Sequence, residues 1–193
     1  MRRLERHPFD ASRGGNAMHM WHKVRNPWRA SFNFAIFWFC RYIPFLGVKR
    51  ALYRLCGIRV GRGAAVGLGA MFDIFFPDLI TLGADCLIGY NCTVLTHEFL
   101  IDEWRTGLVD IGRRVVIGAN TTVLAGVSIG DGATISACSL VNRDIPAGAL
   151  AGGIPVRVIT PGANGANGAG ANGADANGTD ANGAAAARSD GGR

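Results

Sequence analysis

The sequence has few of the features that define several large protein classes. Its five cysteines form no CxxC pair, and their odd number and wide spacing fit neither a disulfide framework nor a zinc site. The most apolar stretch, residues 32–46, is too short to span a bilayer and begins too late for a secretory signal. Neither GxxxxGKS/T nor GxGxxG occurs, which argues against nucleotide chemistry of those kinds. We therefore expect a cytoplasmic protein with no metal ion and no nucleic-acid partner.

Acidic residues are nearly absent from the first third of the chain. Residues 1–62 contain 13 of the 20 Lys and Arg residues, against only Glu5 and Asp10. The remainder of the chain is net negative. A basic arm joined to a mildly acidic body indicates an anionic surface or substrate near the arm, or merely a solvated basic extension.

Large apolar residues are almost absent from the C-terminal end, where Ala-Asn-Gly triplets recur from Gly162 onward. Such a tract buries too little surface to offset its chain entropy, so residues 161–193 are predicted to be a disordered tail. The length of 193 residues and the hydrophobic content of 49% otherwise suit one folded domain with appendages.

A repeat of six residues runs through the middle of the chain. Twelve positions follow this period, eleven of them are aliphatic, and glycine comes directly after seven of them. The residue two places before each position is small or apolar. The twelve positions are Val60, Val66, Phe72, Leu82, Ile88, Val94, Ile111, Ile117, Val123, Ile129, Ile135 and Val141.

This repeat predicts a solenoid. Side chains two residues apart point to one face of a strand, and the glycine permits a tight turn. A three-residue strand with only one inward face must stack on copies of itself to bury anything.

The repeat region resembles the hexapeptide-repeat acyltransferases, which include maltose and galactoside O-acetyltransferase-like proteins. The resemblance is carried by VDIGRRVVIGAN from Val109, GVSIGDG from Gly126 and NRDIP from Asn142. It implies a left-handed parallel β-helix of about four coils over residues 57–160. It also implies acetyl-coenzyme A as cosubstrate, a homotrimer, and a small-molecule or lipid-linked sugar acceptor.

His97 is the candidate catalytic residue. The period breaks twice, between Phe72 and Leu82 and between Val94 and Ile111, and loops project where a solenoid is interrupted. His97 opens the second break and is the single histidine of the repeat region. Acyl transfer to a hydroxyl or amine requires a base near neutral pH, a role that the family's histidine at the matching point fills. Taken alone, the residue would be read as an exposed loop histidine.

The remaining site candidates come from the resemblance and from the two interruptions. Turn formation or solvent exposure would explain most of them equally well. The acceptor candidates are Asn91, Glu98, Asp73 and Trp104, with Arg105 beside Trp104 at the rim. The coenzyme A candidates are Gly118, Ala119, Ser136 and Ala137 along a groove between subunits, and Arg143 and Arg157 near the cofactor phosphates.

Residues 1–20 are predicted to be a flexible basic N-terminus and residues 21–56 an amphipathic helical arm. Val48, Leu52 and Leu55 fall at helical spacing with Lys49, Arg50 and Arg54 off that face, and a second stripe runs from Phe32 through Ile36 and Phe39 to Ile43. These helices either cap the open end of the β-helix or contact an anionic membrane peripherally, at its inner face.

Two other functions compete with acyl transfer. A β-helix carbonic anhydrase would need several zinc-binding histidines, but His7, His19 and His22 lie outside the repeat. A non-enzymatic scaffold has the same fold, and failure to bind coenzyme A would distinguish it.

Overall fold

The protein is a parallel β-helix with helices at its N-terminal end, seen in a computed structural model that describes residues 2–9 and 16–161. The tail predicted for residues 161–193 lies outside these described residues, apart from Pro161. Short strands stack in parallel into three sheets, which form the three faces of a prism. The strands of face one are β2 (Arg59–Val60), β5 (Ile80–Leu82), β10 (Val109–Ile111) and β13 (Ser128–Ile129).

Faces two and three continue the same pattern, and four coils result, as predicted. Face two consists of β3 (Ala65–Val66), β6 (Leu87–Ile88), β11 (Val116–Ile117), β14 (Thr134–Ile135) and β16 (Leu150–Gly152), with β17 (Arg157–Thr160) pairing antiparallel to β16. Face three consists of β4 (Met71–Phe72), β7 (Thr93–Val94), β12 (Thr122–Val123) and β15 (Leu140–Val141). The chain turns at three corners: the second corner joins face two to face three, and the third corner joins face three to face one.

The repeat positions build the core. All twelve are buried, and the residues two places before them point inward as well. Phe72 is the exception to the aliphatic rule because it lies in the first coil, where its ring packs against Phe37 and Tyr53 at centroid distances of 6.0 and 4.9 Å. This aromatic cluster closes the end of the prism.

Close stacking of the coils requires glycine at their corners. A Cβ on Gly118 would lie 2.4 Å from the backbone nitrogen of Ala137 in the next coil. Packing therefore explains this glycine without reference to a ligand.

A 3-10 helix (Ala17–Met20) and three α-helices precede the prism: α1 (Trp21–Val24), α2 (Pro27–Cys40) and α3 (Leu46–Cys56). Asn26 caps α2 by accepting a hydrogen bond from the Trp28 N–H, and Pro27 occupies its first turn. Gly57 ends α3 with a φ of 108°, which suits glycine. Both α2 and α3 pack on the first coil.

The face that α3 presents to the prism contains a buried lysine. Lys49 is 1% exposed, and its Nζ donates to the carbonyls of Val66 and Gly67, each at 2.8 Å. Of the predicted apolar face, Val48 and Leu55 point outward with 47% and 58% exposure, whereas Leu52 packs against the core. The carbonyls of the terminal coil need donors, and cationic side chains supply them better than leucines do.

The second interruption of the repeat forms a hairpin of β8 (His97–Phe99) and β9 (Glu103–Thr106). Strand β1 (Glu5–Pro8) pairs antiparallel with β9 and completes a three-stranded sheet. Part of the segment expected to be flexible thus forms a strand, because its backbone groups find partners on the hairpin.

Candidate active site

The His97 side chain lies at the third corner, at the start of β8, and its Nδ1 donates a hydrogen bond to Asp73. Asp73 occupies the same corner one coil earlier, directly after β4. Its side chain is fully buried, whereas that of His97 is 15% exposed. Coil stacking thus positions an acid–histidine pair with the imidazole reachable from solvent.

Backbone N–H groups hold the Asp73 carboxylate in place. Oδ1 accepts from Phe75 and Phe76 at 2.9 and 3.1 Å, and Oδ2 accepts from Thr96 and His97 at 2.8 and 3.1 Å. Burial alone would raise the pKa of Asp73, but the hydrogen bond and charge of His97 and the backbone donors lower it overall.

An ionised Asp73 determines which imidazole nitrogen can act as a base. A carboxylate accepts but does not donate, so in the neutral imidazole the proton is on Nδ1 and the lone pair is on Nε2. The Asp73 side chain is fully buried and accepts hydrogen bonds from protein groups. Its contact with an acceptor hydroxyl stays a prediction, and this placement favours a role in positioning His97.

Aromatic rings surround the His97 imidazole. Phe75 and Phe99 each contact it edge to face at 4.9 Å between centroids, and Phe76 lies 6.1 Å away. Such rings limit the contact of the imidazole with water and hold its orientation.

Trp104 belongs to this aromatic group, and its ring is stacked between other side chains of the protein. It stacks on His7 of strand β1 at 3.8 Å, and its plane lies within 9° of that of Phe76. The His7 Nε2 also lies 3.3 Å from the Thr106 hydroxyl. Sequence reasoning placed His7 outside the site, because the pairing of β1 with β9 has no local signal.

The other hairpin candidates form ion pairs. Glu98 pairs with Arg2, and Arg105 pairs with Glu103. Glu98 does not orient the imidazole, since Asp73 fills that role.

The second corner brings together the four small residues expected to contact coenzyme A. Gly118 and Ala119 follow β11, and Ser136 and Ala137 follow β14 one coil later. Asn91 lies at the same corner, where its Nδ2 donates to Asn120 Oδ1 at 3.0 Å. In one protomer, therefore, Asn91 and these four residues lie across face three from His97.

The two arginines predicted near the cofactor phosphates are far from one another. Arg143 follows β15 at the third corner, in the column of His97, and lines a cleft with Arg2, Arg6 and Arg105. Arg157 opens β17 and is paired in register with Gly152, beside Ser136.

Two other features bear on function. Across residues 2–9 and 16–161, no group of three or more His, Cys, Asp or Glu side chains is placed to hold a metal ion. In the same residues, no helix combines the length and hydropathy needed to cross a membrane.

Sequence comparisons point to one family. The bacterial transferase hexapeptide model (six repeats) matches residues 109–143. YvoF of Bacillus subtilis (strain 168), which is named as an acetyltransferase, is 46% identical over 162 residues, covering 82% of this chain and 91% of YvoF. The galactoside O-acetyltransferase of Escherichia coli (strain K12) is 37% identical over 99 residues, covering 47% of this chain and 49% of that protein.

Solved structures share the fold. The hexapeptide-repeat acetyltransferase VCA0836 of Vibrio cholerae, complexed with acetyl-coenzyme A, matches with a TM-score of 0.59 and 21% identity, covering 81% of this chain and 93% of that one. A galactoside acetyltransferase in complex with coenzyme A matches with a TM-score of 0.55 and 22% identity, covering 70% and 81%. The predicted fold class, a left-handed parallel β-helix, is confirmed.

Proposed function

This chain belongs to the hexapeptide-repeat acetyltransferases, and from that premise we propose that it transfers an acetyl group from coenzyme A to a hydroxyl group, with His97 as general base. The acceptor is a sugar-like or lipid-linked polar molecule. The hydrogen bond from His97 Nδ1 to the buried Asp73 carboxylate carries this proposal.

His97 moves one proton in each direction. Its Nε2 takes the proton of the acceptor hydroxyl as that oxygen attacks the thioester carbonyl, and the imidazolium is stabilised by Asp73. When the tetrahedral intermediate collapses and the carbon–sulfur bond breaks, Nε2 returns the proton to the departing sulfur. The products are the acetyl ester and coenzyme A, and no acyl-enzyme is needed.

The second corner suits an extended thioester. The side chains of Ala119, Ser136 and Ala137 end at Cβ or at a hydroxyl, so a pantetheine arm can lie against the backbone there. Among the described residues, no partner engages the backbone N–H of Ala119 or Ala137. Either group would serve as a donor to the oxyanion.

Separation of the two corners supports a homotrimer. His97 and the coenzyme A candidates lie at different corners of one prism, so a single protomer holds only half of each site. A second copy that sets its second corner against the third corner of the first completes the site. Repeating this contact closes a threefold ring with identical sites.

Face two offers an apolar surface for such packing. Leu87 and Val116 point outward on adjacent strands and are 46% and 40% exposed, and Leu150, which lies beyond Thr134 on the same face, is 37% exposed. Face one carries Arg59, Thr81, Asp110 and Ser128 at the equivalent positions. Exposed aliphatic side chains grouped on one face are typical of a subunit contact.

We further propose that the outer surface of α2 and α3 contacts a membrane rich in anionic lipid. Trp28, Trp38, Phe39, Tyr42 and Phe45 are 49 to 85% exposed on α2 and the turn after it. The sequence has no Asp or Glu between Asp10 and Asp73, while Arg and Lys residues flank these rings. Exposed aromatic rings with cations and no acids match the interface of an anionic bilayer.

Acetyl-coenzyme A turnover tests the enzymatic proposal. Thiol release would be followed with a panel of sugars, alkyl glycosides and amines, for the wild type and His97→Ala. Transfer that depends on His97 supports the proposal. Failure to bind coenzyme A would favour a β-helix scaffold instead.

A further inference from the structure

We infer that the cavity lined by Trp21, Phe34 and Phe75 binds a hydrocarbon chain of the acceptor, so that the substrate is an amphipathic hydroxyl compound. This inference rests on the proposed role of His97. It goes further by assigning the acceptor a chemical class and a second point of attachment.

The cavity has a volume of about 320 Å³ and lies between the 3-10 helix, α2 and the segment after β4. Met18, Ala30 and Ile74 complete its apolar wall. Of the described residues that line it, Ser31 is the one polar residue. Sugar hydroxyls in this cavity would lose their hydrogen bonds to water without replacement, whereas a hydrocarbon chain loses none.

One aromatic ring connects this cavity to the catalytic histidine. Phe75 packs against Trp21 at 6.0 Å and against the His97 imidazole at 4.9 Å between centroids. An acceptor hydroxyl at His97 can therefore be followed by a chain that passes over Phe75 into the cavity. Phe99, which touches both Phe75 and His97, extends the same apolar wall.

The walls of the cavity are held in place by hydrogen bonds. Asn33, which is fully buried, donates from Nδ2 to the Ile74 carbonyl at 2.8 Å and ties α2 to the segment after β4. Ala17 donates to the Leu100 carbonyl at 3.2 Å and ties the 3-10 helix to the hairpin. A binding cavity is usually preformed in this way.

Matched acceptors test the inference: methyl, butyl, hexyl and octyl β-D-glucosides, each below its critical micelle concentration. Each methylene that enters the cavity should lower KM by up to about fourfold. We expect at least a tenfold lower KM for the octyl than for the methyl glucoside, with kcat and the KM for acetyl-coenzyme A unchanged.

Two substitutions on α2 distinguish binding of the alkyl chain in the cavity from nonspecific hydrophobic binding elsewhere on the protein. Ser31→Phe fills the cavity and should abolish the dependence of KM on chain length. Ala35→Phe adds the same ring at an exposed position outside the cavity and should keep that dependence. Chain-length dependence that survives Ser31→Phe would overturn the inference, as would a Ser31→Phe protein whose oligomeric state changes, since the cavity would then be a subunit contact.

Direct binding distinguishes this inference from the proposed function. Octyl glucoside should quench or enhance tryptophan fluorescence saturably in the wild type and in His97→Ala, but not in Ser31→Phe. Saturable binding without turnover would support the cavity and refute the proposed transfer to this acceptor. Absence of saturable binding to the wild type would refute the cavity, whatever the turnover.

Discussion

His97 and Asp73 are 24 residues apart in the chain, yet they form a hydrogen bond because they occupy the same corner of adjacent coils. Neither residue needs a motif of its own to meet the other. The solenoid brings the same corner of successive coils together, and the interruptions of the repeat place both side chains where the chain leaves the prism.

Removal of the imidazole should stop catalysis without unfolding the protein. We expect His97→Ala to reduce acetyl transfer by about a hundredfold or more, the usual contribution of a general base. Coenzyme A affinity and the melting temperature should stay near those of the wild type. His22→Ala, on α1, is the matched control, and activity of His97→Ala within a few-fold of wild type would refute the assignment.

Asp73→Asn should lower both kcat and stability. An amide offers one acceptor oxygen where the carboxylate accepts from four backbone N–H groups, and it no longer favours the Nδ1–H form of His97. We expect kcat to fall by about 10- to 100-fold, as for other residues that orient a histidine. An unchanged kcat with a lowered melting temperature would leave Asp73 a purely structural role.

The stability difference between Asp73→Asn and the wild type should depend on pH. The pKa of Asp73 is lowered in the folded protein, so the unfolded state binds more protons and the stabilisation from Asp73 is present above its unfolded pKa of about 3.9. That contribution is lost as pH falls toward the lower folded value. In urea unfolding at pH 7 and at about pH 3, the free energies of unfolding of the two proteins should converge at the lower pH. A difference that stays constant between the two pH values would contradict this expectation.

A charge on face two should separate the subunits. Val116→Glu buries a carboxylate in the proposed contact, so light scattering should report a loss of the trimer, and activity should fall with it. Thr81→Glu places the same group on face one beside Arg59 and should change neither property. An active monomer would contradict the proposal that sites are completed between subunits.

Vesicle binding tests the outer surface of α2 and α3. Wild-type protein should sediment with anionic vesicles at low salt and be released as salt screens the basic residues. The double substitution Trp38→Ser and Phe45→Ser should weaken sedimentation, whereas Tyr90→Ser, an exposed aromatic on the prism, should not. Equal sedimentation of all three proteins would count against a membrane contact at this surface.

The fold was predictable because its signal is local and repeated. The six-residue period indicates which side chains are buried in every coil. The gap between Val94 and Ile111 also indicates where a segment projects from the prism. The orientation of α3 was not predictable from amphipathicity. Lys49 is buried because its ammonium group donates hydrogen bonds to two carbonyls of the first coil. The pattern of a helix does not reveal whether the surface beside it requires hydrogen-bond donors or apolar groups.

The site was predictable only in part. His97 stands out by its place at the interruption, but Asp73 was assigned to the acceptor because nothing in a single coil indicates which corner residues stack. His7 was missed altogether, because its contact with Trp104 depends on a strand pairing between distant segments.

The pairing of β1 with β9 also has a consequence for the order in which the molecule assembles. Coil contacts such as that of Asn91 with Asn120 span 29 residues, whereas the contact of His7 with Thr106 spans 99. Closing a longer segment costs more chain entropy, and on the ribosome β1 emerges well before its partner is made. We therefore expect strand β1 to dock late, onto coils that have already stacked, so that the stacking of His7 on Trp104 is among the last contacts of the native structure to form.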